Sequence, residues 1–269
     1  ITLDNTHFIN NRSDNGGAIY FTLGRIDITN SKFMNNHSTG NGGALHIDSS
    51  RSSIQSTHFE ENVSDYNGGG IYAYFTTLVI RDGYFIRNRV NEDAVGLWGG
   101  AINAQHVNIT VTESQFYQNQ SPGYGGAIGI TNPILAGIDP DDPDILEEIQ
   151  QEPMIQDMFT SIPGFQATLE AHPSGIYVEF NEDIQIHNNC FANNATLDPG
   201  DPNWTSGIHA NAAMADGNYW GHPSGPSGRG PGWGDSVGKN KVTFAPFLTE
   251  APAHCDPALA EQTEANLNK

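Results

Sequence analysis

Residues 26–47 read IDITNSKFMNNHSTGNGGALHI, a stretch that holds two short apolar alternations with a polar segment between them. An alternating apolar segment leads to the motif F-x-x-N at Phe33 and Asn36, and a glycine pair then precedes a second alternation at Leu45 and Ile47. Apolar residues at every second position predict a half-buried strand. The stretch therefore predicts short strands joined by tight polar turns.

The same two motifs recur in phase along the chain. F-x-x-N occurs six times, at Phe8/Asn11, Phe33/Asn36, Phe59/Asn62, Phe85/Asn88, Phe116/Asn119 and Phe191/Asn194. A glycine pair followed by Ala or Gly and an aliphatic residue comes after five of these copies, at Gly16–Ile19, Gly42–Leu45, Gly68–Ile71, Gly99–Ile102 and Gly125–Ile128. The first four spacings between the phenylalanines are 25, 26, 26 and 31 residues. Motifs that recur in this way indicate a repeat protein.

No repeat carries enough apolar residues to form a core alone. Stacked coils of a solenoid place like residues above one another, about 4.8 Å apart, in shared columns. We therefore predict an all-β fold, a right-handed parallel β-helix with about 25 residues per coil. The inward positions of the strand after the glycine pair are predicted at Ile19/Phe21, Leu45/Ile47, Ile71/Ala73, Ile102/Ala104, Ile128/Ile130 and Ile176/Val178.

The Asn of F-x-x-N can bend its own backbone and pass amide hydrogen bonds to the Asn in the coils above and below. We predict a structural ladder formed by Asn11, Asn36, Asn62, Asn88, Asn119 and Asn194. The alternative is N-glycosylation, because N-x-[ST] occurs at Asn11, Asn36, Asn62, Asn108, Asn119, Asn194 and Asn203. Five of those seven positions coincide with the predicted ladder, where the amides should be engaged.

The paired motifs F-x-x-N and G-G-A-[ILV] resemble the repeat of the chlamydial-type polymorphic outer membrane proteins, a β-helix repeat of bacterial surface and secreted proteins. Residues 218–248, NYWGHPSGPSGRGPGWGDSVGKNKVTFAPFL, resemble the closing segment of secreted bacterial β-helix proteins. These resemblances imply export, a β-helix, and adhesion or contact with polysaccharides. Two departures are Gly70 in place of Ala and the loss of G-G-A from the sixth repeat.

We expect a single β-helix domain over residues 1–250, with an insertion at 133–175, a closing segment at 218–250 and a polar tail or linker at 251–269. The insertion breaks the repeat. It begins an acidic stretch, since residues 139–183 hold 12 of the 31 acidic residues and no Lys or Arg. Its D-P-D-D-P-D run is a helix-entry signal, so we predict short helical turns after it. Insertions on one side of a solenoid commonly carry binding function.

The acidic run could bind a metal ion. Asp139, Asp141, Asp142 and Asp144 offer the hard oxygen ligands that Ca²⁺ prefers. The run lacks the D-x-D-x-D-G spacing of a calcium loop, and its two prolines restrict wrapping around an ion. Ca²⁺ binding and a solvated acidic lid are the two interpretations, and no motif requires another cofactor.

Two outward columns follow the glycine pairs. They are predicted to contain Tyr20, His46, Tyr72, Asn103, Gly129 and Tyr177 in one, and Thr22, Asp48, Tyr74, Gln105, Thr131 and Glu179 in the other. Aromatic rings beside carboxylates and amides can grip a sugar chain by stacking and hydrogen bonding. We predict a binding face formed by Tyr20, His46, Asp48, Tyr72, Tyr74, Asn103, Tyr177 and Glu179. An ordinary sheet surface is the alternative, because Tyr and Thr favour strands.

Charge restricts the partners and the location. The chain has 31 acidic and 11 basic side chains, a net charge of −20, and no basic stripe, so we expect no nucleic-acid partner. No stretch approaches the roughly 18–20 apolar residues of a membrane helix. The first residues do not form a signal peptide. We expect an exported, bacterial-type protein at the cell surface or outside the cell, with a glycan or a cell-surface protein as its partner.

Two alternatives come from other functional classes. A polysaccharide lyase or glycoside hydrolase would use clustered carboxylates and a base, for which Asp48, Glu179, His46 and His209 are candidates. A filament subunit would self-associate by end-to-end stacking through an uncapped N-terminal coil, since Ile1 falls directly on an inward position.

The two cysteines allow two interpretations. Cys190 precedes the sixth Phe and Cys255 lies in the tail. In an exported protein they can form one disulfide that pins the tail to the last coils. Two thiols, buried or free, are the other possibility.

Overall fold

The alternating segments form strands that stack in parallel. The computed structural model describes residues 1–91, 98–131, 167–172, 175–180, 183–196, 206–210, 212–238, 241–256 and 258. Within these ranges the chain is all-β and contains no helix. The helical turns predicted in the insertion lie outside them.

The largest sheet has 14 strands in two limbs, joined by the long strands Ile19–Thr29 and Leu45–Gln55. The first limb continues through Ile71–Tyr74, Ile102–Gln105, Ile128–Thr131, Ile208–Ala210, Gly234–Gly238 and Pro226–Gly228. The second limb contains Thr2–Asp4, Thr77–Arg81, Asn108–Thr112, Ile184–His187, Ala212–Met214 and Lys241–Thr243.

Two six-stranded sheets complete each coil. The F-x-x-N sheet contains His7–Ile9, Lys32–Met34, His58–Glu60, Tyr84–Ile86, Gln115–Tyr117 and Cys190–Ala192. The turn sheet contains Arg12–Ser13, His37–Ser38, Val63–Ser64, Arg89–Val90, Gln120–Ser121 and Ala195–Thr196. All neighbours in these sheets pair in parallel, one coil apart, and the chain forms the predicted right-handed parallel β-helix.

The core is a set of columns that run along the solenoid. The six motif phenylalanines stack with nearly parallel rings, at centroid distances of 4.8 to 5.0 Å. Aliphatic side chains at the inward strand positions fill the remaining space. One coil departs from this pattern, because Ser52 takes the inward position opposite Ile26 and its Oγ lies 3.3 Å from that of Ser50.

The six motif asparagines form a ladder. Each of the first five donates its Nδ2 to the Oδ1 of the next, at 2.9 to 3.0 Å. From the second onward, each Nδ2 also donates to a Phe carbonyl, as Asn62 does to Phe33 at 2.9 Å. Asn36, Asn62 and Asn119 are fully buried. Their amides are therefore engaged inside the fold, which leaves no room for a glycan there.

Two further columns were not predicted from the sequence. Hydroxyls link neighbouring coils at several of the turns before the F-x-x-N strands, as where the Thr6 amide donates to Ser31 Oγ at 3.1 Å and the Gly83 amide donates to Ser114 Oγ at 3.0 Å. Asparagines before the first three glycine pairs form another short ladder, in which the amide of Asn67 donates to Asn41 Oδ1 at 3.1 Å and that of Trp98 to Asn67 Oδ1 at 3.0 Å. Short polar side chains thus bridge neighbouring coils at these turns.

The glycine pairs let the coils approach closely. The first glycine of each pair has a positive φ, as in Gly68 at +67°. A Cβ on the second, Gly69, would lie 2.2 Å from the carbonyl oxygen of Gly100 in the next coil. Both positions therefore require glycine, for different reasons.

One predicted strand takes a different place. Ile176 and Val178 lie on Gly175–Phe180, which pairs antiparallel with Ala167–His172. The position next to Ile128 and Ile130 belongs instead to Ile208 and Ala210. The prediction of Ile176/Val178 as the sixth inward pair was wrong. Alternation identifies a strand but not its partner. In the other coils the strand of this column comes after the F-x-x-N motif, whereas Gly175–Phe180 comes before the sixth motif.

The closing segment ends the columns. Trp220 is buried and stacks on Phe191, with centroids 5.0 Å apart and an interplanar angle of 16°. Asn218 Oδ1 accepts from Asn189 Nδ2 at 3.0 Å. The buried carboxylate of Asp235 accepts from Asn194 Nδ2 at 2.6 Å, so it ends the Asn ladder.

The start of the tail docks on the F-x-x-N sheet. Cys190 and Cys255 form a disulfide. Gln115 Nε2 donates to the His254 carbonyl at 2.7 Å, and the Asp256 amide donates to Gln115 Oε1 at 3.0 Å. These contacts bury Tyr117, and this burial raises the pKa of its phenol.

Candidate functional site

The predicted binding face begins as a column of rings. Tyr20, His46 and Tyr72 lie opposite one another on neighbouring parallel strands. Their ring centroids are 4.7 and 4.8 Å apart, with edge-on geometry at both contacts. Register alone brings these rings together, because strands one coil apart place equivalent side chains above one another.

The column is less open than an outward position suggests. Tyr20 is 52% exposed, whereas His46 is 8% exposed, Tyr72 7% and Asn103 0%. The second column, with Asp48, is partly exposed. We call the two columns together the aromatic stripe, and solvent reaches it at Tyr20 and along the second column.

Burial sets the protonation states in the aromatic stripe. It lowers the pKa of His46 to about 4, against a smaller opposing effect of Asp48, so the imidazole is neutral at pH 7. Burial also raises the pKa values of the Tyr72 and Tyr74 phenols, and Asp48 adds to both effects. The stripe therefore presents neutral rings and one carboxylate, since Asp48 is the only charged side chain among its described positions.

Hydrogen bonds orient the polar groups of the stripe. Ser49 Oγ donates to Asp48 Oδ1 at 2.8 Å. Gln105 Nε2 donates to Asn103 Oδ1 at 3.2 Å, and Asn103 Nδ2 donates to the Gly129 carbonyl at 3.1 Å. The Asn103 amide is thus engaged within the protein. Asp48 and Gln105 are partly exposed, so their side chains can still form hydrogen bonds with a ligand.

An aromatic cluster at the far end of the stripe was not predicted from the sequence. Trp98 and Tyr124 precede the fourth and fifth glycine pairs, and their ring centroids are 4.4 Å apart. The buried ring of His209, in the register position after Gly129, lies 4.9 Å from Trp98 and 4.5 Å from Tyr124. The available signal was the replacement of Asn by an aromatic residue before these two glycine pairs.

The other predicted site residues are placed differently. Tyr177 and Glu179 lie on the antiparallel pair and not in the columns, because His209 takes the position next to Gly129. The prediction that they extend the columns was therefore wrong. The proposed catalytic set of Asp48, His46 and Glu179 does not share one run of neighbouring strands.

The described residues contain no cluster of carboxylates arranged for Ca²⁺. The four predicted metal ligands, Asp139, Asp141, Asp142 and Asp144, lie outside the described residues. In the described part of the chain, the one group of three His, Cys, Asp or Glu side chains close enough for a metal ion is Cys190, His254 and Cys255. Its two sulfurs are joined as a disulfide.

Comparison with known proteins gives one match. The family model of the Chlamydia polymorphic membrane protein repeat matches residues 5–22, 30–48 and 56–74, which hold the first three F-x-x-N and glycine-pair motifs. No curated protein and no solved structure matches the chain. The chain carries polymorphic membrane protein repeats, as the motifs predicted, and these point to a bacterial protein of the outer membrane or cell surface. In the described residues, no helix is long and apolar enough to span a bilayer.

Proposed function

We propose that this protein is a binding module displayed on the bacterial surface, and that the aromatic stripe is its contact face for glycans. The observation that carries the proposal is the run of rings from Tyr20 through His46 and Tyr72 to Tyr74, with Asp48 beside it. Flat rings beside fixed hydrogen-bonding groups are suited to sugar rings, which present apolar faces and hydroxyl edges.

The chemistry of the stripe favours binding over turnover. Asp48 is the only carboxylate among its described positions, whereas glycoside hydrolysis uses two carboxyl groups across the scissile bond. His46, with a pKa near 4, is a weak base at pH 7. Both features favour retention of a glycan without cleavage.

The test is a polysaccharide panel, read for retention and for new reducing ends or unsaturated products. Tyr20→Ala and Tyr74→Ala should each weaken retention roughly fivefold, because a stacked ring contributes about 1 kcal/mol. Tyr66→Ala is the matched control, since Tyr66 is 55% exposed but lies on a turn outside the stripe. If the unmodified protein releases products and Asp48→Asn does not, the protein is an enzyme and the binding proposal is wrong. No retention at all would refute glycan binding.

A further inference from the structure

The position before the glycine pair changes its role along the solenoid. In the first three coils it holds Asn15, Asn41 and Asn67, whose side-chain oxygens accept amides of the next coil. In the last of these bonds, the backbone amide of Trp98 donates to Asn67 Oδ1. Trp98 therefore joins this ladder through its backbone amide, whereas its ring packs on Tyr124 instead.

The two rings form a small platform. Trp98 and Tyr124 are one coil apart and joined by a parallel bridge, and their rings meet at 4.4 Å with an interplanar angle of 37°. Gly129 gives them room, because a Cβ there would lie 3.0 Å from Trp98 Cβ. His209 packs against both rings from the next coil and is itself fully buried. Both aromatic side chains remain partly exposed.

Charge identifies the class of ligand. The described stripe positions in the coils of this platform are Asn103, Gln105, Gly129 and Thr131, none of them charged. A polyanion would meet Asp48 two coils away and a chain of net charge −20, without a Lys or Arg in the stripe. A cation would find no carboxylate at the described stripe positions of these coils. An uncharged, hydroxyl-rich ring fits both the aromatic faces and the amide of Gln105.

We infer that Trp98 and Tyr124 form a second subsite of the stripe and that the stripe selects uncharged glycan chains. This inference rests on the proposed function and adds to it both a place and a ligand class. A chain laid along the solenoid would contact Tyr20 and Tyr74 at one end and the Trp98–Tyr124 platform at the other.

The experiment measures binding of neutral β-1,4-linked glucose and N-acetylglucosamine hexamers by calorimetry, beside polygalacturonate and tetramethylammonium. Trp98→Ala and Tyr124→Ala should each lower the affinity for a neutral hexamer about five- to tenfold, because each removes one stacked ring. Trp233→Ala, which removes an exposed tryptophan of the closing segment, should leave it unchanged. Binding should be insensitive to salt, since no ion pair forms.

A fluorescence measurement covers the case in which Trp98→Ala does not fold. Trp98→Phe keeps an aromatic ring, so it should retain affinity but lose the ligand-induced change in tryptophan emission. Trp233→Phe should keep that change. An emission change that survives in Trp98→Phe would overturn the subsite.

The outcomes separate the two proposals. Weaker binding in Tyr20→Ala but not in Trp98→Ala or Tyr124→Ala would overturn the subsite and leave the glycan-binding face standing. Retention of polygalacturonate or tetramethylammonium in preference to the neutral hexamers would overturn the ligand class. If the unmodified protein retains no glycan, both the glycan-binding face and the subsite are wrong.

Discussion

At the scale of single residues, asparagine carries much of the specificity of this fold. Its amide both donates and accepts, so one side chain can satisfy backbone groups of its own coil and of the next. Asn62 Oδ1 accepts from the Nδ2 of Asn36 at 2.9 Å, and Asn62 Nδ2 donates to Asn88 Oδ1 at 2.9 Å. A buried ladder of this kind tolerates few other residue types.

Replacing a central ladder asparagine should therefore be costly. Asn62→Ala leaves the Nδ2 of Asn36, the Phe33 carbonyl and the Oδ1 of Asn88 each short of a buried partner. At about 1–3 kcal/mol for each such group, we expect a loss of at least about 3 kcal/mol in the free energy of unfolding. Urea unfolding measures it. Asn11→Ala, at the exposed start of the same column, should cost about 1 kcal/mol. Equal losses at the two positions would contradict the ladder.

The buried imidazole of His46 should make stability depend on pH. Its folded pKa of about 4 is below the unfolded value near 6.5, so the unfolded chain binds more protons between these values. The contribution of His46 is complete above pH 6.5 and is lost as the pH falls towards 4, by about 3 kcal/mol in total. The measurement is urea unfolding from pH 7 to 4. His46→Gln should show a shallower decline, and identical curves would refute the assignment.

At the scale of elements, glycine determines how closely two coils approach. The two glycines after Gly68 look equivalent in sequence, yet their surroundings differ. A Cβ at Gly69 would lie 2.2 Å from the Gly100 carbonyl oxygen and 2.5 Å from the Arg89 amide nitrogen, whereas the shortest distance at Gly70 is 2.8 Å. Only the first of these positions is closed by backbone on two sides.

This difference predicts opposite outcomes for neighbouring substitutions. Gly69→Ala should destabilise the protein by about 3 kcal/mol or more, because backbone cannot move aside as a side chain can. Gly70→Ala should change the free energy of unfolding by less than about 1 kcal/mol, since other repeats carry Ala there. Urea denaturation midpoints of the two variants measure this difference. Similar midpoints would show that the close approach of the coils at Gly69 does not limit their stacking.

Some elements of the fold could be predicted from the amino-acid sequence and others could not. The Phe column and the Asn ladder followed from spacing alone, because each repeat uses the same residue for the same contact. The place of Ile176 and Val178 did not follow, since an alternating segment can pair with either of two partners. The Trp98–Tyr124 platform was not predicted because the Asn column that precedes the glycine pairs was itself not recognised, so its replacement by two aromatic residues carried no meaning until the ring contacts were known.

At the scale of the whole molecule, charge opposes the stack. A net charge of −20 on one solenoid produces self-repulsion that added salt screens. The screening length falls from about 30 Å at 0.01 M salt to about 8 Å at 0.15 M. Salt screening should therefore stabilise the compact folded state more than the extended unfolded chain.

The thermal midpoint should therefore rise by a few degrees between 0.01 M and 0.15 M NaCl. Scanning calorimetry measures it, and an unchanged or lower midpoint would contradict the role of repulsion. CaCl₂ at matched ionic strength is the second arm. An equal midpoint would mean screening alone, whereas a higher one would support the Ca²⁺ site predicted at the acidic run of the insertion.

The coil, its period and the residues that stack could be predicted from the amino-acid sequence, because they depend on contacts repeated between equivalent positions. The three-dimensional fold was needed to show which outward residues are buried, how His209 packs against Trp98 and Tyr124, and how Asp235 ends the Asn ladder. These features join residues from 41 to more than 100 positions apart that share no repeat position. Periodicity cannot encode such contacts, since each forms once, where the solenoid departs from its own repeat.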